Sequence, residues 1–176
     1  MNSQEAKVAV LNFLLYHNGY EAAFTESLNQ SDVLGIRESM FTTEIEIKVD
    51  RSDLLNELHT IQCVSEPELV AKLRQRRVKY RKHQVYLNSD FKKEGWLFCP
   101  NYFYLAFPPE LKDRRLNMLE KTKYGIMIIK DGVVTIEKKA EKIHNEKIDQ
   151  SNFLRLMRKA CTENLGLREK LLRKDL

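Results

Sequence analysis

In residues 41–49, FTTEIEIKV, the apolar Ile45, Ile47 and Val49 alternate with Glu44, Glu46 and Lys48. A period of two belongs to a β-strand and to no helix, so the fold must hold a sheet with two carboxylates and an ammonium on one side of a strand. At strand rise, the Cα atoms of Glu46 and Lys48 lie about 6.6 Å apart, close enough for their side chains to converge. Two readings follow. One is a water-facing strand side with an ion pair worth under about 1 kcal/mol. The other is a small polar site, in which a carboxylate holds a hard divalent ion through oxygen. The neighbouring ammonium would then orient or deprotonate a water, or balance charge on a phosphate. A second carboxylate on an adjacent strand would complete the seat, and Asp32 is the candidate.

The remaining periodicities alternate between helix and strand. Ser3 can cap a first helix that carries Ala6, Ala9, Val10, Phe13 and Leu14 at helical spacing and stops near His17, before Asn18-Gly19. Residues 22–28 and 32–36 read as two strands around a tight turn, and 37–42 as a loop. From 52 to about 86 the pattern is helical, with a fresh start at Pro67. The run YFYLAF, 102–107, suits a central strand buried on both faces. Residues 110–121 read as a helix. Residues 124–129 and 133–137 read as strands joined by an Asp131-Gly132 turn. From 148 onward the chain is helical, with Leu154, Leu156, Leu165 and Leu167 as inward positions. Apolar strands separated by helices predict an α/β fold with a mixed central sheet flanked by helices. A helical crossover between the third and fourth strands makes that pair parallel.

The 176 residues suit one domain spanning 1–176. Its helical parts include a basic insertion at about 62–84 and a C-terminal extension at about 148–176. No apolar run reaches the length of a membrane span, and the N-terminal segment reads as an amphipathic helix rather than a signal peptide; the expectation is a cytoplasmic protein without membrane partner. Cys63, Cys99 and Cys161 have no zinc or disulfide spacing, and read as partly buried thiols in a reducing compartment. The formal net charge of +5 permits a polyanionic partner without requiring one.

Asp32, then a loop, then Glu46-Ile47-Lys48 on the next strand resembles the signature of the PD-(D/E)XK nuclease superfamily. The ordered blocks EIKVDRSDLLNE, KYRKHQVYL, CPNYFYLAFPPEL, YGIMII and KKAEKIHNEKI are similar to those of a small DNA-repair branch of that superfamily found in bacteria and their phages. The likeness spans about residues 20–148. It implies a restriction-endonuclease-like core, with Asp32 and Glu46 binding Mg²⁺ or Mn²⁺ and Lys48 positioning the attacking water. Ser31 stands where the motif's proline would be, and the charged segment 62–77 is additional. Glu5 and Glu26 are candidates for a further carboxylate.

Residues 71–84, AKLRQRRVKYRKHQ, hold seven Lys or Arg and no acid. On a helix, Arg74, Arg77 and Arg81 share a face, and with Lys82 they are the candidate contacts to DNA phosphates. A solvated helix face is the plainer alternative. The C-terminal cations, among them Arg155, Arg158 and Lys159, could extend such a surface but equally suit helix ends. His83 and His144 read as packing or capping histidines. No grouped glycines, G-x-S-x-G or H-E-x-x-H occurs. The expected function is a metal-dependent nuclease that hydrolyses DNA phosphodiester bonds in repair or phage nucleic-acid processing. Its rivals are an inactive nuclease-like scaffold that binds DNA or a host protein as adaptor or inhibitor, and a module that binds no nucleic acid. Oligomeric state is open.

Overall fold

The computed structural model describes residues 1–26, 31–65, 77–88 and 98–174, and within these the side chains of all but 77–81, 88 and 163–174. Helix α1, Ser3–Asn12, runs into a π-helical turn, Phe13–His17. Strands β1, Ala22–Thr25, β2, Val33–Ile36, and β3, Thr42–Ile47, follow, then helices α2, Arg51–Ser65, and α3, Arg77–Asn88. Strand β4, Tyr102–Phe107, is followed by two 3-10 segments, then by β5, Gly125–Lys130, β6, Val133–Lys138, and α4, Gln150–Lys174.

The six strands form one mixed sheet in sequence order. β1, β2 and β3 pair antiparallel, β3, β4 and β5 pair parallel, and β6 returns antiparallel to β5. The parallel β3–β4 pair needs a long crossover, which α2 and α3 lie within. The β5–β6 return turns on Asp131 and Gly132, both at positive φ (50° and 76°), as a two-residue hairpin of this hand requires.

Strand alternation sorts the core into two sides. On one, Phe103, Leu105 and Phe107 of β4 pack with Leu54, Leu58 and Ile61 of α2 and Val85 and Tyr86 of α3. On the other, Ile45, Ile47, Tyr104 and Ala106 pack with Ala6, Ala9, Val10 and Leu14. Both faces of β3 and β4 are therefore covered, and every residue of β3 is buried. The start of α4 closes a smaller cluster, in which Leu156 and Phe153 meet Leu34, Ile36 and Phe98.

Four expectations shift. Asn2, not Ser3, caps α1: its side chain accepts from the Glu5 amide while the Glu5 carboxylate accepts from the Asn2 amide, each at 2.9 Å. Residues 110–121 form 3-10 segments, Pro109–Leu111 and Arg114–Lys121, instead of an α-helix. The buried Leu116 and Leu119 are three apart, the repeat of a 3-10 turn. Leu154 is exposed while Leu156 is buried, because α4 meets the body along one narrow stripe. Cys161 is exposed, whereas Cys63 and Cys99 are buried. Residues 27 and 28 of the expected first strand lie outside the described residues, and no described helix is long and apolar enough to cross a membrane.

Gly125 opens β5 where the chain runs hard against β4. A Cβ there would stand 2.7 Å from the Ala140 backbone nitrogen and overlap the Tyr104 ring. Gly125→Ala is expected to cost about 1–3 kcal/mol as the backbone gives way. Urea denaturation checks this; a loss below about 0.5 kcal/mol would mean the strand has slack the packing does not suggest.

Candidate functional site

β2 and β3 pair with Val33 opposite Ile45. One step beyond, Asp32 reaches across the strand ends, and its Oδ2 accepts from the Ile47 amide at 2.8 Å. Its Oδ1 lies 3.4 Å from Lys7 Nζ of α1, which also pairs with Glu26 at 3.1 Å. The Glu26 amide donates to the Asp32 carbonyl, so the two acids flank one ammonium as a hairpin pairing would put them. Burial works against the Lys7 charge, but Glu26 and Asp32 outweigh it and raise its pKa. Glu5 is occupied in the α1 cap and takes no part.

The Glu44, Glu46 and Lys48 side of β3 faces α2 and α3. Glu46 stands between two ammonium groups: Lys48 Nζ at 2.6 Å from Oε1 and Lys82 Nζ at 3.0 Å from Oε2. Lys82 also lies 2.5 Å from Glu44 Oε1, and Tyr86 donates its hydroxyl to Glu44 Oε2 at 2.8 Å. Lys48 reaches on to Glu57 Oε2 of α2 at 3.4 Å. Glu57 Oε1 is 2.7 Å from His83 Nε2, and His83 Nδ1 is 2.9 Å from the Tyr124 hydroxyl. Three carboxylates and two ammonium groups thus share one buried network.

The electrostatics follow from burial and partner count. Burial raises the Glu44 carboxyl above its usual range against the pull of Lys82. Burial pushes Glu46 the same way, but Lys82 and Lys48 outweigh it and hold it below. For Lys48 and Lys82, burial opposes the charge and the surrounding carboxylates overcome it, so both pKa values are raised above the usual lysine range.

Of the three residues expected to meet, Glu46 and Lys48 pair with each other, while Asp32, at the head of β2, is bonded to the Ile47 amide and to Lys7 and acts on Lys48 through its charge. The solvated-strand alternative for Glu44, Glu46 and Lys48 is overturned, since all three are buried. Lys82 is corrected as a phosphate contact: it is 5% exposed and committed to Glu44 and Glu46. The reason is helical spacing, which places Lys82 one turn before Val85 and Tyr86 on the stripe that faces the sheet. Arg74 lies outside the described residues, and Arg77 and Arg81 sit on α3 with side chains outside them. His144 is structural: its Nε2 bonds the Cys99 carbonyl at 2.8 Å. Glu57 escaped the reading of the sequence, although a signal existed. It shares the apolar stripe of α2 with Leu54, Leu58 and Ile61, where a carboxylate must find a buried partner.

The donor chemistry at Asp32 and Glu46 suits a small hard cation, which commonly takes one or two carboxylates and completes its shell with water and phosphate oxygens. In this arrangement both Glu46 oxygens are on lysines and Asp32 Oδ2 is on the Ile47 amide. Among the described residues, no group of three or more His, Cys, Asp or Glu could hold a metal ion.

No family model matches this chain, and no curated protein matches it. Among solved structures, the fold is similar to the SPO1766 protein of unknown function from Silicibacter pomeroyi. The TM-score is 0.59 at 16% identity, over 97% of this chain and 93% of that one. A likeness at that identity speaks to the shared α/β fold alone.

Proposed function

We propose that this chain is a divalent-metal-dependent nuclease on a restriction-endonuclease-like core, cutting DNA phosphodiester bonds in repair or phage nucleic-acid processing in the cytoplasm. The observation that supports it most is the buried Glu46–Lys48 pair at the end of β3 with Asp32 bonded to the intervening Ile47 amide, in keeping with the Glu-x-Lys resemblance. In this reading Asp32 and Glu46 hold Mg²⁺ or Mn²⁺. The ion, when bound, supplies Lewis-acid polarisation of a phosphoryl oxygen and acidifies water. Lys48 orients the attacking water and balances charge gathering on the phosphate. Arg74, Arg77 and Arg81 grip the DNA backbone, so affinity falls steeply with salt.

The test is direct. Purified protein with Mg²⁺ or Mn²⁺ is expected to nick or degrade at least one of single-stranded, duplex and branched DNA, and to stop when the ion is chelated. Silence on all three substrates would end the proposal.

One observation favours a second reading. The lysines on both Glu46 oxygens already neutralise the carboxylate a cation would need. A nuclease-like scaffold without chemistry would keep that pairing and bind DNA or a host protein as adaptor or inhibitor. Calorimetry with Mn²⁺ separates the two, because the inert scaffold takes up no ion.

A further inference from the structure

We infer that Glu57, His83 and Tyr124 form a positioning chain that holds the Lys48 ammonium against Glu46. The three come from α2, α3 and the threshold of β5, and meet only in the folded protein. Each is buried, with 1% or less of its surface exposed. Side chains with this much polar character persist inside a core only when their hydrogen bonds are made.

One direction of donation satisfies the whole line. The Tyr124 hydroxyl donates to His83 Nδ1, and His83 Nε2–H donates to Glu57 Oε1. That leaves Glu57 Oε2 turned to Lys48 Nζ, 3.4 Å away. Burial raises the Tyr124 phenol well above its ordinary range, which keeps its proton available for donation. The His83 ring is packed edge-on to Phe103 at 5.6 Å between centroids and against Tyr86 at 6.4 Å. The imidazole fixes the rotation of the Glu57 carboxylate, and that rotation decides where its second oxygen pulls the ammonium.

The contacts of Lys48 divide the labour. Glu46 at 2.6 Å supplies the strong pair. With Glu46 alone, a four-carbon stem would let the ammonium swing about one oxygen. Glu57 supplies a second anchor from the facing helix and restricts the ammonium to the space between the carboxylates. The nuclease reading gives none of the three a role at the ion, the water or the phosphate, so they are positioning residues and not catalytic ones.

That this matters for hydrolysis rests on the nuclease reading; that Lys48 is held this way does not. The experiment therefore uses two readouts on Glu57→Gln and Tyr124→Phe, both close to the native shape. The first is the proton-nitrogen resonance of the Lys48 side-chain ammonium, assigned by its loss in Lys48→Arg. In the native protein it is expected to be visible and slow to exchange with water. It should vanish in Glu57→Gln and broaden or exchange faster in Tyr124→Phe. The second readout is DNA cleavage. Here kcat is expected to fall up to about 100-fold for Glu57→Gln, the scale of a misplaced reacting group, with KM within about twofold.

A native protein without a slow Lys48 resonance overturns the inference. So does a resonance unaltered in Tyr124→Phe, which removes one hydroxyl and decides the matter alone if Glu57→Gln fails to fold. A native protein that cleaves nothing, yet shows the expected resonances, removes the nuclease reading and keeps the chain.

Discussion

Lys48→Met is expected to abolish metal-dependent DNA cleavage, with a loss in the ~10²–10⁴-fold range for removal of a group that handles the attacking water. Methionine keeps the stem and deletes the ammonium. It also removes one of the ammonium groups paired with Glu46 and the one on Glu57 Oε2. Breaking a buried pair from one side typically costs about 3–5 kcal/mol, so part of the activity loss could be lost fold. A urea curve on the same preparation separates the two effects, and cleavage is compared at a denaturant-free temperature where the variant is folded. DNA affinity is expected to stay within a few-fold, because the proposed phosphate contacts are Arg74, Arg77 and Arg81. Equal cleavage by native and variant protein would remove Lys48 from the chemistry. Equal silence, with DNA binding intact, would favour the inert scaffold.

Much of the sheet could be read from the chain because its signals are local. Alternation in 41–49, the apolar run 102–107 and the Asp131-Gly132 pair each act within a few residues, and all three form the expected strands and turn. The parallel β3–β4 pair followed from the helical crossover between the third and fourth strands. What covers a strand is another matter. Alternation says that Glu44, Glu46 and Lys48 share a side, and is identical whether water or a helix lies over them. Their burial depends on α2 and α3, whose approach involves residues far along the chain: Glu46 meets Lys82, 36 residues on, and His83 meets Tyr124, 41 residues on. The basic composition around Lys82 pointed outward, while its phase on α3 pointed inward. Phase prevailed, since a lysine one turn from Val85 and Tyr86 cannot leave the stripe they define. Leu154 failed in the opposite sense: an apolar residue in a helix that meets the body on a narrow front has no guaranteed cover.

That placement makes Lys82 a determinant of stability, and Lys82→Met is expected to destabilise the fold by about 3–5 kcal/mol, the usual result of stripping one partner from a buried ion network. Glu44 bears most of it, being fully buried and left with only the Tyr86 hydroxyl among its described side-chain partners. The pH dependence fixes the cause. Burial already raises the Glu44 carboxyl against the pull of Lys82, and removing that pull raises it further. A carboxyl whose folded pKa exceeds its unfolded value binds its proton more tightly in the native state. The stability it lends is complete below the unfolded value near about 4.3, and is lost as pH climbs through the folded one. The deficit of Lys82→Met should therefore be small near pH 4 and grow toward pH 8. Adding Glu44→Gln removes the stranded charge, so the double variant should recover much of the loss and lose most of the extra pH slope, a coupling of the size seen for contacting charged pairs. Urea curves across that pH range give all of these quantities at once. A lysine serving DNA phosphates would behave differently, leaving stability untouched while lowering DNA affinity and flattening its salt dependence. A variant within about 0.5 kcal/mol of the native protein at pH 8, bound more weakly to DNA, would return Lys82 to the surface role and break the buried network at its centre.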